Sequence, residues 1–217
     1  MTMDRKLYTY FRSSAAWRVR IALAYKGLDY EAVPIHLLRD GGQQRSTDYL
    51  ALNPQGRVPA LLDDGVVLTQ SLAICEYLEE RYPTPALLPA DLLGRARVRS
   101  LAQLIACDIH PLNNLIVLQY LKGTLGQSQE TADEWYRHWI RQGFAALEQE
   151  LVRLGSERYC VGDSVTLADL CLVPQVFNAH RFKVDMASYP RIAAIDAHLS
   201  SLPAFSQTHP SKQADAE

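Results

Sequence analysis

Residues 7–27, LYTYFRSSAAWRVRIALAYKG, decide the fold. The aromatic-rich run at 7–11 reads as a β-strand. Beyond Ser13 and Ser14, the residues Ala15, Ala16, Val19, Ala22 and Leu23 recur at the spacing of one helical face, and Lys26-Gly27 closes that helix. Working outward, residues 30–37 read as a second strand, and RDGGQQRST at 39–47 reads as a polar loop whose paired glycines exclude regular structure. Two apolar runs, 58–62 and 66–69, flank Asp63-Asp64-Gly65, and the D-G pair marks a hairpin. Ser71 then opens a helix with Leu72, Ile74, Cys75, Leu78 and Tyr82 apolar, stopped by Pro83. The order is βαβ followed by ββα.

The proline-rich PTPALLPA at 83–90 reads as a stiff linker, and beyond it the strand signal vanishes. A helical pattern runs from 91 to about 121 with an expected kink at Pro111. Thr131 with Glu134, and Thr166 with Asp169, form two capping-box patterns. The first opens a helix toward Leu154-Gly155 and the second opens the apolar LADLCLVPQVF. Pro190 starts a last helix, and the closing SKQADAE reads as frayed. The expected fold is an α/β N-terminal domain at 1–83, a linker at 84–90, and an all-α domain at 91–217.

Composition narrows the function classes. The chain has 217 residues, 48% hydrophobic and 21% charged, with a net charge of -2. That balance excludes a disordered chain and a polybasic nucleic-acid binder. No stretch reaches the roughly 18 apolar residues of a membrane span, and the N-terminus lacks a signal-peptide core, so no membrane partner and a cytoplasmic location are expected. The four cysteines show no CxxC pairing, against zinc ribbons and dithiol chemistry.

Several residue groups carry possible chemistry. Ser13 and Ser14 are either plain helix caps or part of an anion site at a helix start, where a thiolate would be stabilised; Arg12, Arg18 and Arg20 add positive potential. Pro59 either starts an edge strand or follows a cis bond from Val58 that would turn the Val58 backbone toward an extended peptide. Gln70-Ser71 repeats the helix-start logic for a carboxylate. His110 is either a core histidine or, with Asp108, Asn113 and Asn114, part of a pocket wall. Arg181 either clamps a carboxylate or pairs with Asp185. Zinc at Asp108, His110 and His180 matches no ligand spacing, so no metal is expected.

Taken in order, YFRSSAAWRVRIALAYKGLDYE, DGGQQ, ALNPQGRVPALL, QSLAICEYLEERYP and TLADLCLVPQV resemble the zeta class of glutathione transferases, a group that includes maleylacetoacetate isomerases; the resemblance spans residues 5–203. It implies a thioredoxin-like first domain, a helical second domain, a homodimer and glutathione as cofactor. It also implies that the glutathione thiol lies near Ser13, Ser14, Ala15, Ala16 and Trp17, with Ser14 as hydroxyl donor. Val58 and Pro59 would meet the cysteinyl backbone, and Gln70 and Ser71 the γ-glutamyl end. Gln44, His110, Asn114, Leu115 and Ile116 would complete the site, and Arg12 and Arg181 would receive the carboxylates of an unsaturated dicarboxylate. The implied reaction is glutathione-dependent cis–trans isomerisation of maleylacetoacetate to fumarylacetoacetate in tyrosine and phenylalanine catabolism.

One position departs from the family pattern SSCxWRVR, because Ala15 stands where the cysteine does. The isomerisation needs no protein thiol, since glutathione supplies the sulfur. Three other readings stand beside it: a maleylpyruvate isomerase, a transferase acting on electrophiles such as α-halo acids, and a glutathione-binding module without chemistry. The apolar Leu115 and Ile116 favour maleylacetoacetate over a substrate with a pyruvyl carboxylate. Dithiol glutaredoxin chemistry is absent, because the CxxC position reads Ser13-Ser14-Ala15-Ala16.

Overall fold

The computed structural model describes residues 5–217. It divides into two compact units: one runs to Ala86 and takes in Leu202–Glu217, and the other is Leu87–Ser201.

The first unit is built on a four-stranded sheet in the order β2-β1-β3-β4, with β1 at Lys6–Thr9, β2 at Glu31–Pro34, β3 at Ala60–Asp63 and β4 at Val66–Thr69. Helix α1 (Ser14–Tyr25) returns the chain so that β1 and β2 run parallel, with Lys6 opposite Glu31. Such a crossover is how parallel strands become neighbours. The hairpin forms as read: β3 and β4 are antiparallel, and Asp64 and Gly65 take φ of 49° and 78°, the left-handed pair that a two-residue hairpin turn requires. Helix α3 (Ser71–Arg81) packs on α1. Leu7, Ile21, Leu23, Leu61, Ile74 and Leu78 are all fully buried in this unit.

The polar segment expected to be irregular is more ordered than its glycines imply. It holds two 3-10 turns, Arg39–Gly41 and Gln43–Arg45, and leads into α2 (Thr47–Leu52). Ser46 caps α2 by accepting from Tyr49 N at 3.3 Å, which stabilises a helix too short to show an apolar period.

The closing residues are not frayed. Their acidic groups find donors in the first unit: Phe11 N donates to Asp215 Oδ2 at 2.9 Å, and Glu217 pairs with Arg39 and lies 3.3 Å from His36 Nε2. Trp17 Nε1 donates to Thr208 Oγ1 at 3.0 Å.

The second unit contains α4 (Leu92–Gln103), α5 (Leu115–Gly123), α6 (Gln129–Arg153), α7 (Leu167–Arg181) and α8 (Pro190–Ser201); the short α9 (Pro203–Ser206) returns to the first unit. Pro111 does more than kink the first of these. Leu104–Ile109 widens into a π-helical stretch, with His110 N bonded to Ile105 O at 2.9 Å, and a new helix starts with Asn114 as its cap. A proline has no amide to continue the ladder, and Asn114 accepts from Ile116 N at 3.2 Å to restart it. The wide turn is accommodated by α6, where a β-carbon at Gly143 would run into Ile109.

Helix α6 begins three residues before the expected capping box, because Ser128 takes the cap by accepting from Thr131 N at 3.1 Å. The second box is as read. Asp169, fully buried, accepts from Cys160 N at 2.8 Å, Thr166 N at 2.7 Å and Thr166 Oγ1 at 2.8 Å. Burial pushes its carboxyl up from the usual range, opposed by those three donors.

Lys26, at the end of α1, shows how the first unit is tied. Its buried ammonium uses all three hydrogens, on Glu79 Oε2 at 2.8 Å, Tyr82 O at 2.7 Å and Pro85 O at 2.8 Å. Removing one partner of a buried ion pair leaves the other charge uncompensated. Lys26→Met should therefore cost about 3–5 kcal/mol, roughly 6–20 °C in melting temperature for a chain of this size. Lys26→Met with Glu79→Leu should recover much of that loss, and a single variant that melts like wild type would contradict the pairing.

Candidate active site

The loop between β1 and α1 is held from inside. Arg20 is 0% exposed, and its guanidinium donates to Thr9 Oγ1 at 3.0 Å, Tyr10 O at 3.2 Å and Phe11 O at 2.9 Å. Burial pulls its pKa down to about 10, opposed by Tyr30 and Asp215. Arg20 was expected to add potential to an anion site; it is instead a structural cation whose charge is spent on loop carbonyls.

With the loop fixed, the helix start follows. Ser13 is the N-cap, its Oγ accepting from Ala16 N at 3.2 Å, so the plain reading holds for Ser13. Ser14 is the first helical residue, buried, beside the positive end of the α1 dipole. Ala15 is half-buried, Ala16 fully buried, and the Trp17 indole is committed to Thr208 and packs edge-on against His209. Arg12 is half-buried, with its guanidinium over the rings of Phe11 and Tyr10 at 5.2 and 5.9 Å and one bond to Tyr10 OH at 3.2 Å.

A second helix start, that of α3, is joined to the first. Arg18 Nη1 donates to Ser71 Oγ at 3.3 Å across the packed α1 and α3. Gln70 occupies the cap position without a side-chain cap bond, at φ 69° and ψ 113°, a conformation that side chains other than glycine resist. Its Nε2 donates to Gln55 Oε1 at 2.8 Å. Gly56, next to Gln55, lies so near Gln44 that a β-carbon there would be 3.1 Å from Gln44 O.

Gln44 is buried; its Nε2 donates to Leu37 O at 3.3 Å, while its Oε1 has no partner among the described residues. A buried orphan acceptor costs on the order of 1–3 kcal/mol, which a ligand donor would offset. The Val58-Pro59 bond is cis. The carbonyl before it, Arg57 O, is held by Tyr49 OH at 2.6 Å and Asn53 Nδ2 at 2.7 Å. The structure thus links Ser13, Ser14, Gln44, Gln70 and Ser71 in the first unit, and sets Val58 and Pro59 on a doubly held carbonyl.

In the helical unit, Arg181 is exposed, donates to Asn178 Oδ1 at 3.2 Å, and lies 5.5 Å over the Phe182 ring. Phe182 stacks on Tyr136 with centroids 3.6 Å apart. Asp185 caps the following turn through Ala187 N. His110 is half-buried at the end of the π-helical stretch, Asp108 is exposed, Asn114 is the α5 cap, and Leu115 and Ile116 form the first turn of α5. Asn113 is buried with both side-chain polar atoms unpartnered among the described residues. Among the described residues no cluster of histidine, cysteine or carboxylate side chains could hold a metal ion.

Comparison with known proteins gives these geometries a family. The model of the glutathione S-transferase N-terminal domain matches residues 3–80, and that of the C-terminal domain matches residues 116–203. A maleylacetoacetate isomerase of Pseudomonas aeruginosa is 54% identical over 211 residues, 97% of this chain and 98% of that protein. The chain belongs to the glutathione S-transferase family.

Among solved structures, a bacterial zeta-class maleyl pyruvate isomerase in its holo form superposes with a TM-score of 0.94 at 48% identity, covering 98% of this chain and 100% of that one. A maleylacetoacetate isomerase of Methylobacterium extorquens AM1 with bound malonate and GSH superposes at 0.93 with 45% identity, covering 98% and 99%. The two joined helix starts of this zeta-class transferase both lie within residues 3–80, the stretch matched by the N-terminal domain of the family.

Sequence reading missed two contributors, Gln55 and Asn178, and named Arg18 without the contact that it makes. Gln55 braces Gln70, Asn178 braces Arg181, and Arg18 reaches Ser71 from inside. The Arg181–Asn178 spacing of three residues on one helix is a signal the sequence does carry. The other two depend on tertiary contacts.

The strain at Gln70 makes a prediction free of any ligand. Glycine at this position relieves a conformation that alanine does not, so Gln70→Gly should exceed Gln70→Ala in unfolding free energy by about 1 kcal/mol or more despite the entropy that glycine costs. Denaturant melts of the two variants check this, and an alanine variant at least as stable as the glycine one would contradict it.

Proposed function

We propose that this chain is a glutathione-dependent cis–trans isomerase that converts maleylacetoacetate to fumarylacetoacetate, a step of tyrosine and phenylalanine breakdown. The observation that carries the reading is the pair of joined helix starts, Ser14 on α1 and Ser71 on α3, linked by Arg18 Nη1 at 3.3 Å from Ser71 Oγ. Two anionic ends of one peptide, a thiolate and a carboxylate, suit two such starts.

The residues present fit glutathione. The unpartnered Gln44 Oε1 offers an acceptor to its donors, and the strained Gln70 presents its side chain beside the start of α3. In this reading Ser71 and Gln70 hold the γ-glutamyl end, Val58 with Pro59 meets the cysteinyl backbone, and Ser13, Ser14 and the first turn of α1 face the sulfur. When bound, glutathione supplies the thiolate that adds to the cis double bond, permits rotation about it, and leaves.

The chain's own task is to keep that sulfur ionised and the diacid in register. Lowering a thiol from about 8.5 to about 6.5 takes about 2.7 kcal/mol. A helix terminus contributes roughly 0.3–2 kcal/mol and a hydroxyl bonded to the anion about 1.5–3 kcal/mol, so Ser14 at the head of α1 suffices. Ala15 removes nothing essential, because no step uses a protein thiol. Arg12, held over aromatic rings, and Arg181, braced by Asn178, are the cations we assign to the substrate's carboxylates. His110, Asn114, Leu115 and Ile116 are the further residues of the helical unit that this reading assigns to the site.

The maleylpyruvate relative at 48% identity keeps that substrate as the second reading; the apolar pair Leu115 and Ile116 favours the acetoacetyl end. Conjugation of glutathione to α-halo acids would use the same thiolate as a side activity. We also infer a homodimer, supported by Leu92 at 86% and Leu93 at 59% exposure in the first turn of α4, apolar side chains that a second copy would cover. No helix among the described residues is long and apolar enough to cross a membrane, and cysteines that form no disulfide among the described residues suit the reducing, cytoplasmic setting that we infer.

Turnover of maleylacetoacetate should require glutathione and regenerate it unchanged, and activity that persists without glutathione would overturn the mechanism. Ser14→Ala should reduce kcat about tenfold or more, since each unit of thiol pKa lost is worth about 1.4 kcal/mol. A Ser14→Ala enzyme with wild-type rates would move the thiolate's stabilisation elsewhere. Leu92→Asp with Leu93→Asp should shift sedimentation from dimer toward monomer, and an unchanged coefficient would contradict the proposed interface.

A further inference from the structure

Arg18 is 2% exposed and lies on α1 where it packs on α3, yet its single side-chain hydrogen bond among the described residues goes to a hydroxyl, Ser71 Oγ at 3.3 Å. Its Nε and Nη2 have no partner among the described residues. Burying a cation without an acceptor is among the costliest arrangements in a protein interior. The contrast within the same helix is direct: Arg20, equally buried, satisfies Nη1 and Nη2 with three acceptors. Lys26 satisfies all three of its donors, one of them on a carboxylate. Among the described residues Arg20 leaves only Nε unpartnered, whereas Arg18 leaves both Nε and Nη2 without an acceptor and reaches, through Nη1, the start of an eleven-residue helix.

We propose that Arg18 is the buried counter-charge and positioning residue for the γ-glutamyl α-carboxylate of glutathione, acting through Ser71. The proposal rests on the reading of this unit as the glutathione site and adds the residue behind it. Nη1 donates to Ser71 Oγ, and this occupies a lone pair of the hydroxyl. The hydroxyl hydrogen is then left to point away from Arg18, toward the edge of α3 where a carboxylate meets the first-turn amides. The positive charge behind the hydroxyl strengthens that bond, because a charge in low dielectric is weakly screened. The position of the tripeptide's amino end is thereby set by a group the ligand never touches. The arrangement trades stability of the empty protein for ligand affinity, as strained binding sites do.

The test compares glutathione with 4-aminobutyryl-Cys-Gly, which keeps the amine and lacks only that carboxylate. By calorimetry, wild type should bind glutathione more tightly than the analogue by about tenfold or more, the size of one charge-assisted contact. In Arg18→Met this preference should collapse to within about threefold, with kcat at saturating glutathione within about twofold of wild type and KM for glutathione raised about tenfold or more. Arg18→Lys should keep most of the preference, because it keeps the charge. The empty Arg18→Met protein should melt at or above wild type, which a merely structural arginine would not allow. An Arg18→Met or Arg18→Lys protein showing the opposite pattern, full preference without the charge or none with it, would overturn the proposal. Failure of the wild type itself to bind glutathione would overturn the underlying site assignment instead.

Discussion

The site depends on a buried guanidinium. Arg20 lies in the interior of α1 and gathers Thr9 Oγ1, Tyr10 O and Phe11 O, from the end of β1 and the loop that leads to the helix. On the other side of the same loop, Asp215 accepts from Phe11 N, and Ser13 N closes onto Tyr10 O at 3.0 Å. A loop carrying this many fixed backbone groups cannot drift, so Ser14 arrives at the head of α1 in one position. Placement matters because helix-dipole effects fall off within the first turn. In the proposed mechanism a hydroxyl displaced by a residue would sit outside the field that ionises the sulfur.

Three of the unit's buried cations serve three different purposes. Lys26 is saturated and holds the end of α1 to α3 and to the proline-rich segment; Arg20 is bound to the loop; Arg18 is left with donors to spare. Lys26 and the two terminal nitrogens of Arg20 serve the fold, while Arg18, with two donors unpartnered among the described residues, marks with Gln44 Oε1 and the strained Gln70 where the fold gives up stability. Those costs fall where the proposed function places glutathione, and in that reading Ala15 takes nothing from the chemistry, because no step uses a protein thiol. The catalytic sulfur is delivered to the site rather than encoded in the chain.

Much of this was legible in the sequence because the signals are local. The D-G turn, the periodic face of α1 and the box Thr166–Asp169 each depend on residues a few positions apart. The boundary of α6 was misread because two overlapping cap patterns, Ser128 with Thr131 and Thr131 with Glu134, compete, and only the amide geometry selects Ser128. The widened stretch before Pro111 and the short α2 have no periodic trace, since a π-turn and a six-residue helix are shorter than any apolar repeat. Residues 211–217 read as frayed because a tail of small, polar and charged residues carries no apolar reason to dock; its order comes from Asp215 and Glu217 meeting donors some two hundred positions away. For the site, the residue types were readable and their assignments less so. Arg18 and Arg20 alternate along WRVR as if equivalent, and only their partners separate a loop clamp from a ligand's counter-charge.

Everything proposed for catalysis turns on the head of α1 holding glutathione as a thiolate. The most direct measurement is the pH titration of the ultraviolet thiolate absorbance of glutathione bound to the intact protein. The predicted midpoint is about two units below that of a free thiol, near 6.5 rather than about 8.5. A midpoint for the bound peptide at the free-thiol value would contradict it.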